Sequence, residues 1–356
     1  MENVLVSLVN RMDQGFFEHE ICCVSGGGPM EHRLRAGIRV HSMEKGNAAD
    51  RLMALKIANI LRRSRPDLVH TYNWGGVDGI LAAKLASPCG GIRVVHAEHG
   101  RDSADPEGKN KKRNVARKLL SPLVDRFIAV SADLDSWLVR QIKIPSAKVV
   151  RIVNGVDTEL YQAGKADGLR KELGLQPNEL VIGFVGRLDS VKDVGILIQA
   201  VLRLGEPFRL VITGDGPERM NLERLAGGNG RIIFLGERKD VAAVYKAIDI
   251  FALSSIAEGT PCTIQEAMAS GLPAVATGVG GIPALIEDGR SGFLFSPGDI
   301  DAAVSCFSNY RQNPGLIQKH GQHGRRKAVQ EFSLDKMTRS YQTLYLTLAG
   351  RCQCAE

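Results

Sequence analysis

Short, unbroken runs of Val, Ile, Leu and Phe recur along this chain, and most are followed by a turn and a stretch with helical spacing of apolar residues. In the first half the runs span 19–25, 67–72, 93–99, 126–131 and 149–153, with helical patterns such as 49–63, 77–86 and 132–141 between them. In the second half they span 180–186, 208–214, 231–235, 248–254, 273–277 and 292–295. A strand that does not alternate apolar with polar residues is covered on both faces, and parallel strands are joined by the crossover helices that cover them. The pattern therefore predicts an α/β protein built from doubly wound parallel sheets. At 356 residues the chain exceeds one ordinary core, so two consecutive sandwiches are expected.

The turn-rich Asn154-Gly155-Val156-Asp157 and the polar segment 164–168 place the boundary between 154 and 178. We set the first domain at 1–155, the second at 156–332 and a terminal helical segment at 333–356. Ligands of open α/β sheets sit beyond the carboxyl ends of the strands, so two such sheets facing each other predict a cleft. Residues 1–10 break the pattern. Apolar residues at 1, 4, 5, 8 and 9 read as a helix, whereas a doubly wound domain ordinarily opens on a central strand, so the N-terminal domain is expected to lack its first strand.

The net charge of +7 favours anionic partners. Aromatics at 5%, without basic-aromatic interleaving, argue against nucleic acid as that partner. Seven scattered cysteines with no C-x-x-C pair suggest neither a disulfide framework nor a zinc site. No apolar run approaches the roughly 20 residues that span a bilayer, and residues 1–10 lack a signal-peptide pattern. The expectation is a cytoplasmic protein, with peripheral contact at the inner face of an anionic membrane.

Glu258 and Glu266 bracket Gly259-Thr260-Pro261-Cys262-Thr263-Ile264-Gln265, a turn opening straight into a helix predicted over 263–270. The first N–H groups of a helix have no partner within it and can seat a phosphate. Carboxylates on either side can accept hydrogen bonds from sugar hydroxyls, and a nucleotide-sugar has that layout of hydroxyls, diphosphate, hydroxyls. Gly186-Arg187-Leu188-Asp189-Ser190-Val191-Lys192 closes the strand 180–186, and its two cations are placed to hold a diphosphate. On its own, a solvated basic loop would read the same way.

Thr213-Gly214-Asp215-Gly216-Pro217 and Gly278-Val279-Gly280-Gly281-Ile282-Pro283 are strand-to-helix turns that either approach a ligand closely or are merely tight. Gly26-Gly27-Gly28 follows its strand in the same manner. His99 ends the strand 93–99, His96 reads as structural, and Glu98 reads as either an acid–base group or a surface carboxylate. Lys109, Lys111, Lys112, Arg113, Arg117 and Lys118 form a basic run. Its apolar members Val115, Leu119 and Leu120 are expected to pack inward, leaving the cations to solvent or to an anionic membrane.

Taken together, these pieces resemble the retaining glycosyltransferases of family 4, which have the GT-B fold of two Rossmann-like domains. The resemblance runs from residue 2 to about 348, and rests on Glu258 to Glu266, Gly186-Arg187 with Lys192, and His99-Gly100. Asn154-Gly155-Val156-Asp157, Gly214-Asp215-Gly216-Pro217 and the segment 287–294 support it. Glu98-His99-Gly100-Arg101-Asp102 resembles bacterial sugar transferases of exopolysaccharide systems.

The resemblance implies a metal-independent, cofactor-free, retaining hexosyltransferase. It would move a sugar from a nucleotide-diphosphate-sugar to a hydroxyl of a glycan or lipid-linked acceptor. Glu266 would then bind ribose, Glu258 and His99 the donor sugar, and Arg187 and Lys192 the leaving diphosphate. Thr260, Cys262, Thr263 and Ile264 would contribute the helix terminus, and Gly186, Gly214, Asp215 and Gly216 the surrounding turns. The helix 333–348 resembles one that crosses back onto the first domain. Family members usually open with a strand and a Gly-Gly loop before a helix like 2–10, and this sequence shows neither. The alternative is therefore an N-terminally truncated, impaired GT-B protein that binds a nucleotide-sugar or a partner without transfer. An epimerase is disfavoured by the Glu258–Glu266 spacing, and a dehydrogenase by the lack of G-x-G-x-x-G at either domain's start.

Overall fold

The computed structural model describes residues 2–24, 30–43, 52–100, 105, 108–165 and 167–351. Gly26-Gly27-Gly28, Arg101 and Asp102 lie outside the described residues. Twelve strands are named among those described: β1 Glu20–Cys23, β2 Arg39–Ser42, β3 Leu68–Tyr72, β4 Arg93–Glu98, β5 Arg126–Ala129, β6 Val149–Arg151, β7 Leu180–Val185, β8 Phe208–Thr213, β9 Ile232–Gly236, β10 Ile250–Leu253, β11 Ala274–Thr277 and β12 Gly292–Phe295. Every pairing between them is parallel. The doubly wound α/β class read from the unbroken apolar runs is the class observed.

The chain divides into two compact units, Met1–Asn154 with Leu334–Glu356, and Gly155–Ser333. In the first, β1 pairs with β2 in one sheet and β3-β4-β5-β6 form another. The four-stranded sheet packs Val94, Phe127 and Ala129 against Ile80, Leu134 and Leu138 in one buried cluster. Helix Glu2–Arg11 buries Val4, Val6, Leu8 and Val9. Helix Leu334–Leu348 also belongs to this unit: Tyr345 Oη lies 2.5 Å from His70 Nδ1.

Strand β2 was absent from the sequence reading. Its four residues include one strongly apolar side chain, Val40, too little for a periodic signal. Pairing with β1 supplies what the local sequence does not, helped by Arg39 and His41, which both reach Glu20 at 2.7 and 2.9 Å.

The second unit is a six-stranded sheet in the order β12-β11-β10-β7-β8-β9. All residues of β10 and β11 are buried, as their unbroken apolar runs require. Along the chain the sheet grows from β7 through β8 to β9 on one side, then restarts at β10 on the other. The strand order therefore reverses between β7 and β10. Such a switch point parts the loops at the carboxyl edge and opens a crevice there.

Candidate functional site

The loops leaving β7 and β10 bound that crevice. After β7, residues 186–189 run into a single 3-10 turn, Ser190–Lys192, whose entry is capped by Asp189 accepting the Lys192 N–H at 3.2 Å. After β10, residues 254–261 lead into helix Cys262–Ala269, one residue earlier than the sequence placed it. The two loops are tied by backbone and hydroxyl contacts. Ser254 Oγ donates to the carbonyls of Lys192 and Asp193 at 3.0 and 2.8 Å, and the Ile256 N–H donates to Val191 O at 2.9 Å.

These ties bring Lys192 and Glu258 together across the switch point. Lys192 Nζ donates to Glu258 Oε1 at 2.5 Å, and Ser255 Oγ donates to the same oxygen at 2.6 Å. The glutamate side chain is 10% exposed and the lysine 23%, so the pair sits at a protected but open edge. Behind it, the buried Thr277 hydroxyl at the end of β11 donates to Ser255 O at 2.6 Å and fixes the serine. The sequence reading gave Lys192 to a diphosphate and Glu258 to a sugar hydroxyl as separate duties. The fold couples them directly.

Three of the glycines are demanded by this packing. Gly214 has φ +126°, and a Cβ there would fall on the carbonyl of Gly186, so the turns after β7 and β8 can meet only through a glycine. Gly280, with φ +55°, likewise lies against the carbonyl of Glu258. Gly216 abuts Leu188 in the same way, and Leu188 N–H donates to Asp215 O at 2.9 Å. The Asp215 carboxylate itself is turned to the Gly216 N–H at 2.7 Å and towards Arg219 at 3.5 Å.

Helix Cys262–Ala269 brings its first-turn N–H groups to the same edge, with Pro261 leading in. Thr260 is buried, and Ile264 is turned wholly into the core with its N–H given to Pro261 O at 3.2 Å. Glu266, just over one turn into the helix, accepts a hydrogen bond from Tyr245 Oη at 2.9 Å. The same phenol lies 3.2 Å from Thr263 O. Burial, reinforced by the adjacent Glu266 charge, holds the Tyr245 phenol far above its ordinary pKa, so it stays a donor. Arg187 stands exposed at the start of the loop after β7.

Sequence reasoning missed Ser255, Thr277 and Tyr245. A serine pair directly after a buried strand was a usable signal for Ser255. Tyr245 carried none, because it sits on a short helix, Val241–Ala247, whose neighbours are ordinary core residues.

In the first unit His99 directly follows β4. Its N–H donates to Asn73 Oδ1 at 2.7 Å, and the Asn73 N–H returns to Ala97 O at 2.8 Å. Both ring nitrogens of His99 are shut off from solvent. Burial lowers its pKa to about 4, against an opposing pull from Glu98, so the imidazole is neutral at neutral pH. Glu98 is neither a surface carboxylate nor placed as an acid–base group. It is fully buried, accepts from Arg117 Nε at 2.6 Å and lies 3.3 Å from His96 Nε2. Burial alone would raise its pKa, but His96 and Arg117 together bring it below the ordinary value. His96 in turn shares a 2.7 Å hydrogen bond with Thr71 Oγ1.

Comparison with known proteins agrees with this architecture. The profile described as Glycosyltransferase Family 4 matches residues 1–160, and that described as Glycosyl transferases group 1 matches residues 179–313. The chain belongs to glycosyltransferase family 4. Its two domains make it a GT-B glycosyltransferase. It is 26% identical over 346 residues to the N-acetyl-alpha-D-glucosaminyl L-malate synthase of Bacillus anthracis, covering 92% of this chain and 89% of that one. It is 28% identical to the UDP-Gal:alpha-D-GlcNAc-diphosphoundecaprenol alpha-1,3-galactosyltransferase of Escherichia coli, covering 83% and 79%. In fold it is similar to Anabaena Alr3699/HepE, solved in complex with UDP, at a TM-score of 0.85 and 23% identity over 97% and 96% of the two chains.

Proposed function

We propose that this family 4 enzyme transfers a sugar, with retention of anomeric configuration, from a nucleoside-diphosphate-sugar to an acceptor hydroxyl in cell-surface glycan synthesis. The observation that carries the reading is the Lys192–Glu258–Ser255 cluster at the β7/β10 switch point, beside the start of helix Cys262–Ala269. In this reading Lys192 and Arg187 hold the diphosphate as its charge develops, and the helix terminus adds its N–H groups. Glu266, positioned by Tyr245, accepts from the ribose hydroxyls. Glu258 accepts from a hydroxyl of the donor sugar. The bond between the anomeric carbon and the diphosphate oxygen breaks as the acceptor oxygen bonds the same carbon on the same face. The acceptor's proton passes to the departing diphosphate, so neither glutamate serves as the base.

Relatives that act on L-malate and on a diphosphoundecaprenol-linked sugar bracket the acceptors to test first: small hydroxy acids and lipid-linked glycans. A panel of nucleotide-sugars ranked by thermal stabilisation identifies the donor, because a ligand of the native state raises the melting point. With that donor, Glu266→Ala and Arg187→Ala are each expected to lower transfer at least about tenfold, the scale of one charge-assisted contact. Near-native rates in both variants would remove the assignment.

A further inference from the structure

Asn73 holds a backbone conformation that asparagine rarely takes. Its φ of +50° is paired with a ψ of −173°, whereas Arg65 and Asp193, also at positive φ, have ψ of 54° and 46° in the ordinary left-handed region. Conformations near that of Asn73 are used almost only by glycine, and a residue with a Cβ keeps one only where its surroundings over-determine it. The reason is an exchange of acceptors at the end of the sheet. β3 and β4 pair in parallel up to Tyr72 and Ala97, and the Asn73 N–H continues the ladder to Ala97 O at 2.8 Å. The next rung would run from the His99 N–H to the Asn73 carbonyl. Instead that carbonyl is turned out of the ladder to accept the Gly76 N–H at 3.1 Å, and Asn73 Oδ1 takes its place, accepting the His99 N–H at 2.7 Å. One residue thereby ends the sheet, fixes the backbone of His99 and starts the Trp74–Gly76 turn into helix Val77–Ala86.

The far side of the turn is clamped as firmly. The sequence pattern predicts that the basic run packs its apolar side inward, and helix Lys111–Leu120 does the reverse: Arg117 is buried, while Val115 and Leu119 stand 55% and 72% exposed. Arg117 Nε donates to the buried Glu98 at 2.6 Å, and its guanidinium lies 5.2 Å from the Trp74 ring and 5.0 Å from Trp137. Arg113 lies 5.5 Å from Trp74. A buried carboxylate flanked by two indoles is satisfied by arginine and by no aliphatic side chain. The Tyr72 ring in turn packs 5.4 Å from that of His99.

Asn73, the turn and His99 lie at the carboxyl ends of β3 and β4, the edge at which open parallel sheets meet their ligands. Glycine would take this backbone without strain, so what asparagine adds is its side-chain oxygen. We propose that Asn73 is a positioning residue for sugar transfer. Through Oδ1 and its turned carbonyl it holds His99 and the Trp74–Gly76 turn in the geometry the substrates meet. The inference rests on the transferase reading above, and Asn73 acts only through the groups it fixes.

Three variants of the full chain separate strain from positioning. Turnover is read as nucleoside diphosphate released from the nucleotide-sugar that the stabilisation panel selects. Asn73→Ala keeps a Cβ and loses the acceptor, so its melting point is expected to fall by several degrees. Asn73→Gly loses the acceptor and the strain together, and is expected to melt within about 4 °C of the parent. Both are expected to lower kcat at least about tenfold, with an unchanged KM for the nucleotide-sugar. Asn73→Asp restores an oxygen at the same reach, and is expected to bring kcat back to within about threefold of the parent. Amide exchange at His99 or Gly76 is expected to quicken in Asn73→Gly, where one of the two loses its acceptor, and not in Asn73→Asp. Native kcat in Asn73→Gly overturns the proposal. So does a kcat in Asn73→Asp no higher than in Asn73→Gly, and so does a loss of turnover that follows the melting point across the three. Binding of the nucleoside diphosphate is expected to be unchanged in all three, since the residues assigned to it belong to the second unit. That binding reports on the donor site and kcat on Asn73, so failure of the transferase reading and failure of this inference are separately visible.

Discussion

Replacing Glu258 by Gln separates its two duties, because the amide keeps the shape and a hydrogen-bond acceptor but loses the charge that holds Lys192. In the structure Lys192 Nζ lies 2.5 Å from Glu258 Oε1, an oxygen that also accepts from Ser255 at 2.6 Å. For the lysine to serve a diphosphate it must share or leave this contact. A charge-assisted hydrogen bond of this kind contributes about 1.5–3 kcal/mol. With the lysine 23% exposed, solvent screening puts it near the lower figure, about 1.5 kcal/mol, or roughly tenfold in an equilibrium constant. Glu258→Gln is therefore expected to bind the nucleoside diphosphate of its donor about tenfold more tightly by titration calorimetry. The intact nucleotide-sugar gains nothing comparable, since the same substitution weakens the acceptor of its sugar hydroxyl, and the turnover number falls at least about tenfold. Lys192→Met is expected to weaken that nucleoside diphosphate by a similar factor. Nucleoside-diphosphate binding that is unchanged or weaker in Glu258→Gln would refute the coupling of the two residues.

Three further outcomes follow from the packing. Gly214→Ala places a Cβ on the Gly186 carbonyl at φ +126°, and is expected to lower unfolding free energy by about 3 kcal/mol or more, read as the urea midpoint. Glu98→Gln leaves Arg117 buried against two indoles without its counter-charge, and is expected to cost about 3–5 kcal/mol in the same measurement. His99 has a folded pKa of about 4 against about 6.5 when unfolded, so the unfolded chain binds the extra proton between those values. Its contribution is fully present above pH 6.5 and is lost as pH falls towards 4, by about 3 kcal/mol, and that part of the pH dependence should vanish in His99→Phe.

The strands and the fold class were legible because a parallel strand covered on both faces must be apolar at every position, and that requirement is local. The run Ile250–Leu253 shows it, with all four residues buried. The start of helix Cys262–Ala269 was legible to within one residue, since Pro261 and the turn before it are neighbours in the chain. Arg39–Ser42 was not, because its strand character comes from pairing with Glu20–Cys23.

The same division runs through the site. Sequence singled out Glu258, Glu266, Arg187 and Lys192 by residue type and by position after apolar runs. It did not show that Lys192 and Glu258 touch, because that depends on β10 adding beside β7 rather than beside β9. Nor did it show Tyr245 behind Glu266, a contact made between two helices rather than along one. Helix Lys111–Leu120 gives the sharpest case. Its sequence fixes two stripes, one holding the arginines and one the aliphatics, but periodicity carries no sign. Which stripe turns inward was decided by Glu98, Trp74 and Trp137, three residues distant in sequence that the tertiary structure gathers beneath it.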